Sequence, residues 1–262
     1  MKLLLFDLDG TLLRNDKTIS GRTLEVLRRC REKGILIGIA TSRSEANCVP
    51  FLKALDPDIF ISSSGTLVKY RGALINSLEF TPEETAALIK AARKVCGDDC
   101  EITVDTQTYY YWNYKVDPNQ ADNTWGDTVW TDYRNFGEYA LKICVQSFDE
   151  AAARRLADAL PHCKCIRFSG TYWYQFTKED ATKGNGAQII SEAIGIPMAE
   201  IAAFGDDLTD ISMLQACGTG VAMGNAVEAV KESADIIIGT NEEDGIAIWL
   251  ENYLEEENNG TP

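Results

Sequence analysis

The feature that most constrains this chain is an alternation of short apolar runs with helix-period segments. It occupies the first 61 residues, breaks off, and resumes near residue 186. Lys2 to Leu8 reads as a buried strand, apolar until it ends in acidic residues. Ser20 is placed to cap a helix on which Leu24, Leu27 and Cys30 recur at helical spacing, and Gly34 ends it. Ile35 to Ala40 is the next strand, followed by a helix near Glu45 to Leu55 and a strand at Asp58 to Ile61. The late block repeats the pattern: helix Gly186 to Ile194, strand Ile201 to Phe204, helix Leu208 to Ala216, strands Gly220 to Ala222 and Asp235 to Ile238, and helix Glu243 to Leu254. Asn225 and Asn241 are N-cap candidates. Strand and helix in alternation predict an α/β fold, a Rossmann-like parallel sheet whose strand ends gather at one edge.

Between the two blocks the texture changes. Thr81-Pro82-Glu83-Glu84 has the form of a capping box with proline at the first helical position, so a helix is expected from there to Gly97. Aromatic-rich strands follow at Tyr109 to Trp112 and Tyr172 to Tyr174, with further strands at Ala140 to Gln146 and Cys163 to Phe168. Four of the five tryptophans fall in this segment, including Trp125. The expected organisation is a discontinuous core, residues 1–81 and 178–262, interrupted by an inserted α+β domain at 82–177. Strand alternation puts Tyr109, Tyr111, Tyr172 and Tyr174 in one set and Tyr110, Trp112 and Trp173 in the other. One set must face a helix layer, and packing is the expected role for most of these rings. The polar Glu255 to Gly260 reads as a frayed end.

Composition narrows the chemistry. With 45% hydrophobic and 25% charged residues, and no apolar run near the roughly 18 residues of a membrane span, neither disorder nor membrane insertion is expected. A net charge of -15 repels nucleic acid and anionic lipid, yet leaves room for a small anion where a cation is held locally. The start of the chain is too short in apolar residues for a signal-peptide core, which predicts cytoplasmic residence and eight reduced cysteines. His162 is the only histidine and follows Pro161 in an expected turn, so acid–base work falls to carboxylates.

Asp7 and Asp9 stand two apart at the end of the first strand, followed by Gly10 and Thr11. If the turn at Gly10 brings both into one crevice, one can attack while the other exchanges a proton with the leaving group. A second acidic cluster, Asp206, Asp207 and Asp210, follows the strand Ile201 to Phe204 and is expected at the same sheet edge. Two unit charges about 4 Å apart repel by roughly 4 kcal/mol at an effective dielectric near 20, so facing clusters demand a cation, and oxygen ligands favour Mg²⁺. Thr41-Ser42-Arg43 and Thr182-Lys183-Gly184 supply hydroxyls, backbone N–H groups and an ammonium suited to phosphate.

With these motifs in this order, the chain resembles the haloacid dehalogenase (HAD) superfamily, specifically the Cof-like sugar-phosphate phosphatases with an α/β cap between their second and third motifs. The resemblance rests on DLDGTL at Asp7 to Leu12, ATSR at Ala40 to Arg43, TKG at Thr182 to Gly184 and GDDLTDISML at Gly205 to Leu214, with GVAMGNA and NEEDGIA also similar. It implies a HAD-type core and cap and a Mg²⁺-dependent phosphatase of small phosphorylated metabolites, sugar phosphates first among them. Asp7 would be the nucleophile that forms an aspartyl-phosphate and Asp9 the general acid, later base. Thr41 and Lys183 would hold the phosphoryl group, with Ser42 and Arg43 beside it and Asn225 at the edge. The metal would take Asp7, the Asp9 carbonyl and Asp206, with Asp210 as a water-mediated ligand or a brace for Lys183. Three positions depart from the commonest family pattern: Ser42 for Gly, Ser64 for Asn and Thr209 for Asn. Arg71 is a further substrate-contact candidate. A phosphomutase, or a non-catalytic phospho-acceptor module, stands as the alternative, and oligomeric state is open.

Overall fold

The computed structural model describes residues 1–114, 128–158 and 162–258, so Trp125 and Pro161 lie outside the described residues. The first strand, β1 (Leu3–Phe6), is apolar throughout because it lies at the centre of a sheet, paired in parallel with β2 (Leu36–Ala40) on one side. Beyond β2 come β3 (Ile59–Ser62) in parallel, then an antiparallel hairpin, β4 (Leu67–Tyr70) and β5 (Ala73–Ser77), at the edge. Helix α1 (Gly21–Glu32) opens on Ser20, whose side chain accepts from the Thr23 N–H, and α2 (Val49–Leu55) precedes β3. The edge hairpin was not anticipated, and it carries Arg71 at its turn. There Arg71 is exposed and paired with Asp58, so it makes no part of the crevice at the sheet edge.

The chain then builds a second layer. Thr81 forms the capping box with Glu84 at the start of α3 (Pro82–Cys96). A second sheet contains β6 (Ile102–Asp105), β7 (Tyr110–Trp112), β8 (Thr128–Trp130), β9 (Lys142–Gln146), β10 (Cys163–Arg167) and β11 (Trp173–Lys178), with α4 (Glu150–Ala157) between β9 and β10. Its spatial order is β10-β11-β9-β6-β7-β8. Strand alternation divides its side chains cleanly. Ile102, Val104, Ile143, Val145, Tyr174 and Phe176 pack against α3 and α4 with Leu88, Ala153 and Leu156. Thr103, Asp105, Tyr110, Trp112, Lys142, Cys144, Trp173 and Gln175 occupy the other face.

The first sheet is completed by β12 (Ile201–Gly205), β13 (Thr219–Ala222) and β14 (Ile236–Ile237), all parallel, on the far side of β1. Phe6 and Phe204 stack across β1 and β12 with ring centroids 4.6 Å apart. Helix α5 (Lys183–Ile194) packs with α6 (Ile211–Ala216), and α8 (Gly245–Asn258) packs with α1. Helix α5 begins three residues before its expected start, because Thr182 caps it by accepting from the Asn185 N–H. Neither asparagine is an N-cap: α7 (Glu228–Lys231) follows Val227, and Asn241 precedes α8 by several residues. Of the polar stretch Glu255 to Gly260, Glu255 to Asn258 continue α8, and Asn259 and Gly260 lie outside the described residues. All eight cysteines are free thiols.

Candidate active site

Asp7 leaves the end of β1 with its N–H bonded to the Phe204 carbonyl at 3.0 Å, so it sits beside the end of β12. Immediately after Asp9 the chain turns back through Gly10 at a φ of 76°. Glycine is required twice over there: the conformation is left-handed, and a Cβ would lie 2.2 Å from Asp206 Oδ2. This contact brings the two acidic motifs together, and Thr11 Oγ1 donates to Asp206 Oδ1 at 2.8 Å.

Lys183, the first residue of α5 and only 1% exposed, places its ammonium 2.6 Å from Asp7 Oδ1 and 2.5 Å from Asp210 Oδ1. The second oxygen of Asp210 accepts the N–H groups of Asp206 and Asp207 at 3.0 Å each. Both of its oxygens are thus engaged, which makes Asp210 a brace for Lys183 and for the turn after β12.

The carboxylates of Asp7, Asp206 and Asp210 offer oxygens that all lie within 4.8 Å of one another. Three carboxylates against one ammonium leave an excess of two negative charges in a buried pocket, the charge a divalent cation would cancel. Burial, with Asp210 next to it, pushes Asp206 up to about 7. Burial also raises Asp7 well above the usual range, against the pull of Lys183 and with Asp210 and Asp206 adding to the rise. Lys183 stays charged, because the two aspartates more than offset its burial. These all-oxygen donors fit a hard cation of the Mg²⁺ type.

Asp9 points elsewhere. Arg43 grips it through Nε at 2.5 Å from Oδ2 and Nη2 at 2.9 Å from Oδ1, and Lys17 Nζ is 2.7 Å from Oδ1. Burial alone would raise its pKa, but these hydrogen bonds and charges lower it. Arg43 therefore meets Asp9, where the sequence suggested a substrate contact. Lys17 escaped the sequence reading altogether, since nothing but its charge marks it. Thr41, 1% exposed, accepts the Arg43 N–H at 3.1 Å. Asn225 is exposed and donates to the Gly10 carbonyl at 2.7 Å, while its own Oδ1 accepts the Asn241 N–H at 3.1 Å. It ties the Gly10 turn to the loop before α8.

Ser42, Ser64 and Thr209 are far apart in sequence but meet here. Ser42 Oγ lies 3.0 Å from Ser64 Oγ and 3.4 Å from Thr209 Oγ1. Above them opens a cavity of about 520 Å³ that Asp7, Asp9, Thr41, Ser42, Arg43 and Lys17 line from the first sheet. The second sheet contributes Tyr110, Trp112, Lys142 and Trp173, with Phe168 beside them. The ring set that faces away from the helices thus lines the cavity. Of the other set, Tyr111 and Tyr174 pack beneath α3 and α4, whereas Tyr109 and Tyr172 are exposed.

A family model described as haloacid dehalogenase-like hydrolase matches residues 4–250. The chain is 31% identical over 265 residues to the 5-amino-6-(5-phospho-D-ribitylamino)uracil phosphatase YitU of Bacillus subtilis (strain 168), covering 96% of this chain and 97% of that protein. It is 29% identical to the pyridoxal phosphate phosphatase YbhA of Escherichia coli (strain K12), covering 97% and 98%. Among solved structures, the HAD subclass IIB sugar phosphatase BT4131 superposes with a TM-score of 0.80 at 25% identity, over 97% of this chain and 99% of that one.

Proposed function

The chain belongs to the haloacid dehalogenase-like hydrolases and is a phosphatase of small phosphorylated metabolites, and from that premise we propose that it hydrolyses sugar-sized phosphomonoesters through an aspartyl-phosphate on Asp7, with Mg²⁺. The carrying observation is the buried Asp7–Lys183–Asp210 array, with Asp206 beside it, opening on a cavity whose other wall comes from the inserted segment. Residues 1–81 and 178–262 serve as the catalytic core, and 82–177 as a cap that reads the leaving group.

Asp7, the Asp9 backbone carbonyl and Asp206 would hold the metal, which when bound supplies positive charge for the phosphoryl oxygens. The remaining chemistry belongs to the side chains. An Asp7 carboxylate oxygen bonds to phosphorus as the bond to the leaving oxygen breaks, and the Asp9 carboxyl gives that oxygen its proton. Water then attacks phosphorus, its proton passes to Asp9, and inorganic phosphate departs with the Asp7 carboxylate restored. In the resting site Arg43 and Lys17 hold Asp9 ionised, the form the second step needs. A phosphate dianion competing for these two cations would loosen their hold and let Asp9 carry a proton into the first step. Lys183 stabilises the charge that builds on the phosphoryl group, while Thr41 and Ser42 face it from the loop after β2.

A ring-bearing leaving group is the second reading, favoured by Tyr110, Trp112 and Trp173 on the cavity wall. A metal-supplemented screen of sugar phosphates beside phosphorylated heteroaromatic alcohols separates the two. Inorganic phosphate released in step with substrate loss is expected; an isomerised sugar phosphate without release would point to a mutase. Asp7→Asn is expected to abolish turnover with folding intact, and activity surviving in that purified variant would refute the mechanism.

A further inference from the structure

The turn after β3 is strained. Ser63, Ser64 and Gly65 follow one another at φ 47°, 66° and 100°, all left-handed. Glycine accepts this freely, but each non-glycine residue there costs roughly 1–2 kcal/mol and persists only where its surroundings hold it. On the core side the turn holds the loop that carries Thr41: the Ser63 N–H donates to the Arg43 carbonyl at 2.8 Å and the Ser64 N–H to the Thr41 carbonyl at 3.0 Å.

What holds the turn itself comes from the inserted segment. Ser63 Oγ donates to Asp105 Oδ2 at 2.9 Å, and Ser64 Oγ donates to Gln175 Oε1 at 2.6 Å. Asp105 stands directly opposite Lys142 across β6 and β9, with Nζ 3.1 Å from Oδ2. Lys142 also donates to the Ser42 carbonyl. All three cap residues are at most 5% exposed. An ion pair buried this deeply adds little stability, since taking two charges out of water offsets their attraction, so fold stability does not account for it.

We propose that Asp105, Lys142 and Gln175 are positioning residues for the phosphate-binding loop Thr41 to Arg43, acting through the strained Ser63–Gly65 turn. The proposal rests on the reading of that loop as the phosphate site. The three family departures fit it as one unit: the Gln175 oxygen can only accept, so Ser64 donates to it and can in turn accept from Ser42. Ser64 exchanges asparagine's ease in the left-handed region for a short hydroxyl that reaches the cap.

The test is a double-mutant cycle read by direct binding of inorganic phosphate to the Mg²⁺-loaded protein, with turnover of acetyl phosphate, whose leaving group is only acetate, as the second measurement. Gln175→Met is expected to weaken phosphate binding and lower kcat/KM for acetyl phosphate about tenfold, one buried hydrogen bond's effect, with little change in melting temperature. Lys142→Met should lower both at least as far and should also lower the melting temperature, because it leaves Asp105 buried without its counter-charge. In a Ser64→Ala background the Gln175→Met effect should vanish, which a merely structural role would not produce. Unchanged phosphate affinity with losses confined to bulky substrates would overturn the proposal, because the residues would then touch the leaving group. Full additivity of Gln175→Met and Ser64→Ala would overturn it as well. A parent that binds phosphate but turns over nothing contradicts the phosphatase mechanism instead, while the binding cycle still decides this proposal.

Discussion

Without a divalent cation at the Asp7, Asp206 and Asp210 cluster, the stability of this protein should fall as pH rises, the reverse of what ordinary paired carboxylates do. Asp206 has a folded-state pKa of about 7 against an ordinary value of 3.8, raised by burial and by Asp210. Between those values the folded protein binds more protons than the unfolded chain, so stability is full below about pH 4 and is lost as pH climbs through 7. A difference of that size is worth about 4 kcal/mol, of which about 3 kcal/mol is lost between about pH 5 and pH 8. Asp7 shifts in the same direction. Asp9 is shifted the other way, so its contribution titrates below this window. For a chain of this length the fall corresponds to a melting temperature lower by about 5–10 °C. The assay is thermal unfolding across that pH range in chelator-treated protein, in protein with saturating Mg²⁺, and in Asp206→Asn. The cation should abolish most of the slope by holding the carboxylates ionised, and Asp206→Asn should flatten the metal-free curve. A metal-free melting temperature that stays level or rises with pH, or a slope that Mg²⁺ leaves unchanged, refutes the charge accounting at the site.

Two other substitutions probe how the site is held. Gly65→Ala puts a Cβ 2.2 Å from the Thr182 carbonyl at a φ of 100°, and should lower stability by about 3 kcal/mol in urea unfolding while weakening phosphate binding, because Thr182 opens the helix that carries Lys183. Asp210→Asn removes the charge under Lys183 and gives it or the N–H groups of Asp206 and Asp207 a donor to face. In Mg²⁺-saturated protein it should cost about 2 kcal/mol of stability and depress kcat more than KM; an unchanged kcat would show that the brace is dispensable.

The capping box at Thr81 and the continuous apolar run of β1 were legible in the sequence because each depends on neighbours a few residues away. Asp7, Asp206 and Lys183 were legible as motifs at strand and helix ends, and a parallel sheet brings such ends to one edge whatever the details. The β4–β5 hairpin closes on the two residues Arg71-Gly72, both at positive φ, and its turn is harder to read because arginine stands where asparagine or aspartate usually precedes the glycine. Asn225 and Asn241 have the right residue type for caps but spend their side chains on other loops, Asn225 on Gly10 and Asn241 on the Leu13 carbonyl.

By itself the sequence determined the alternating strands and helices around β1 and the identity of the acidic groups, since these follow from periodicity and from residue type at strand ends. Tertiary structure alone decided which carboxylate meets which cation: Asp9 with Arg43 and Lys17, Asp7 and Asp210 with Lys183. It also decided that Tyr110, Trp112 and Trp173 line the cavity while Tyr111 and Tyr174 pack beneath the helices. Strand alternation separates the two sets but cannot say which face is covered. The partnership of Ser42, Ser64, Thr209 and Gln175 was equally out of reach, because it spans both sheets and rests on hydroxyls whose reach is a single hydrogen bond.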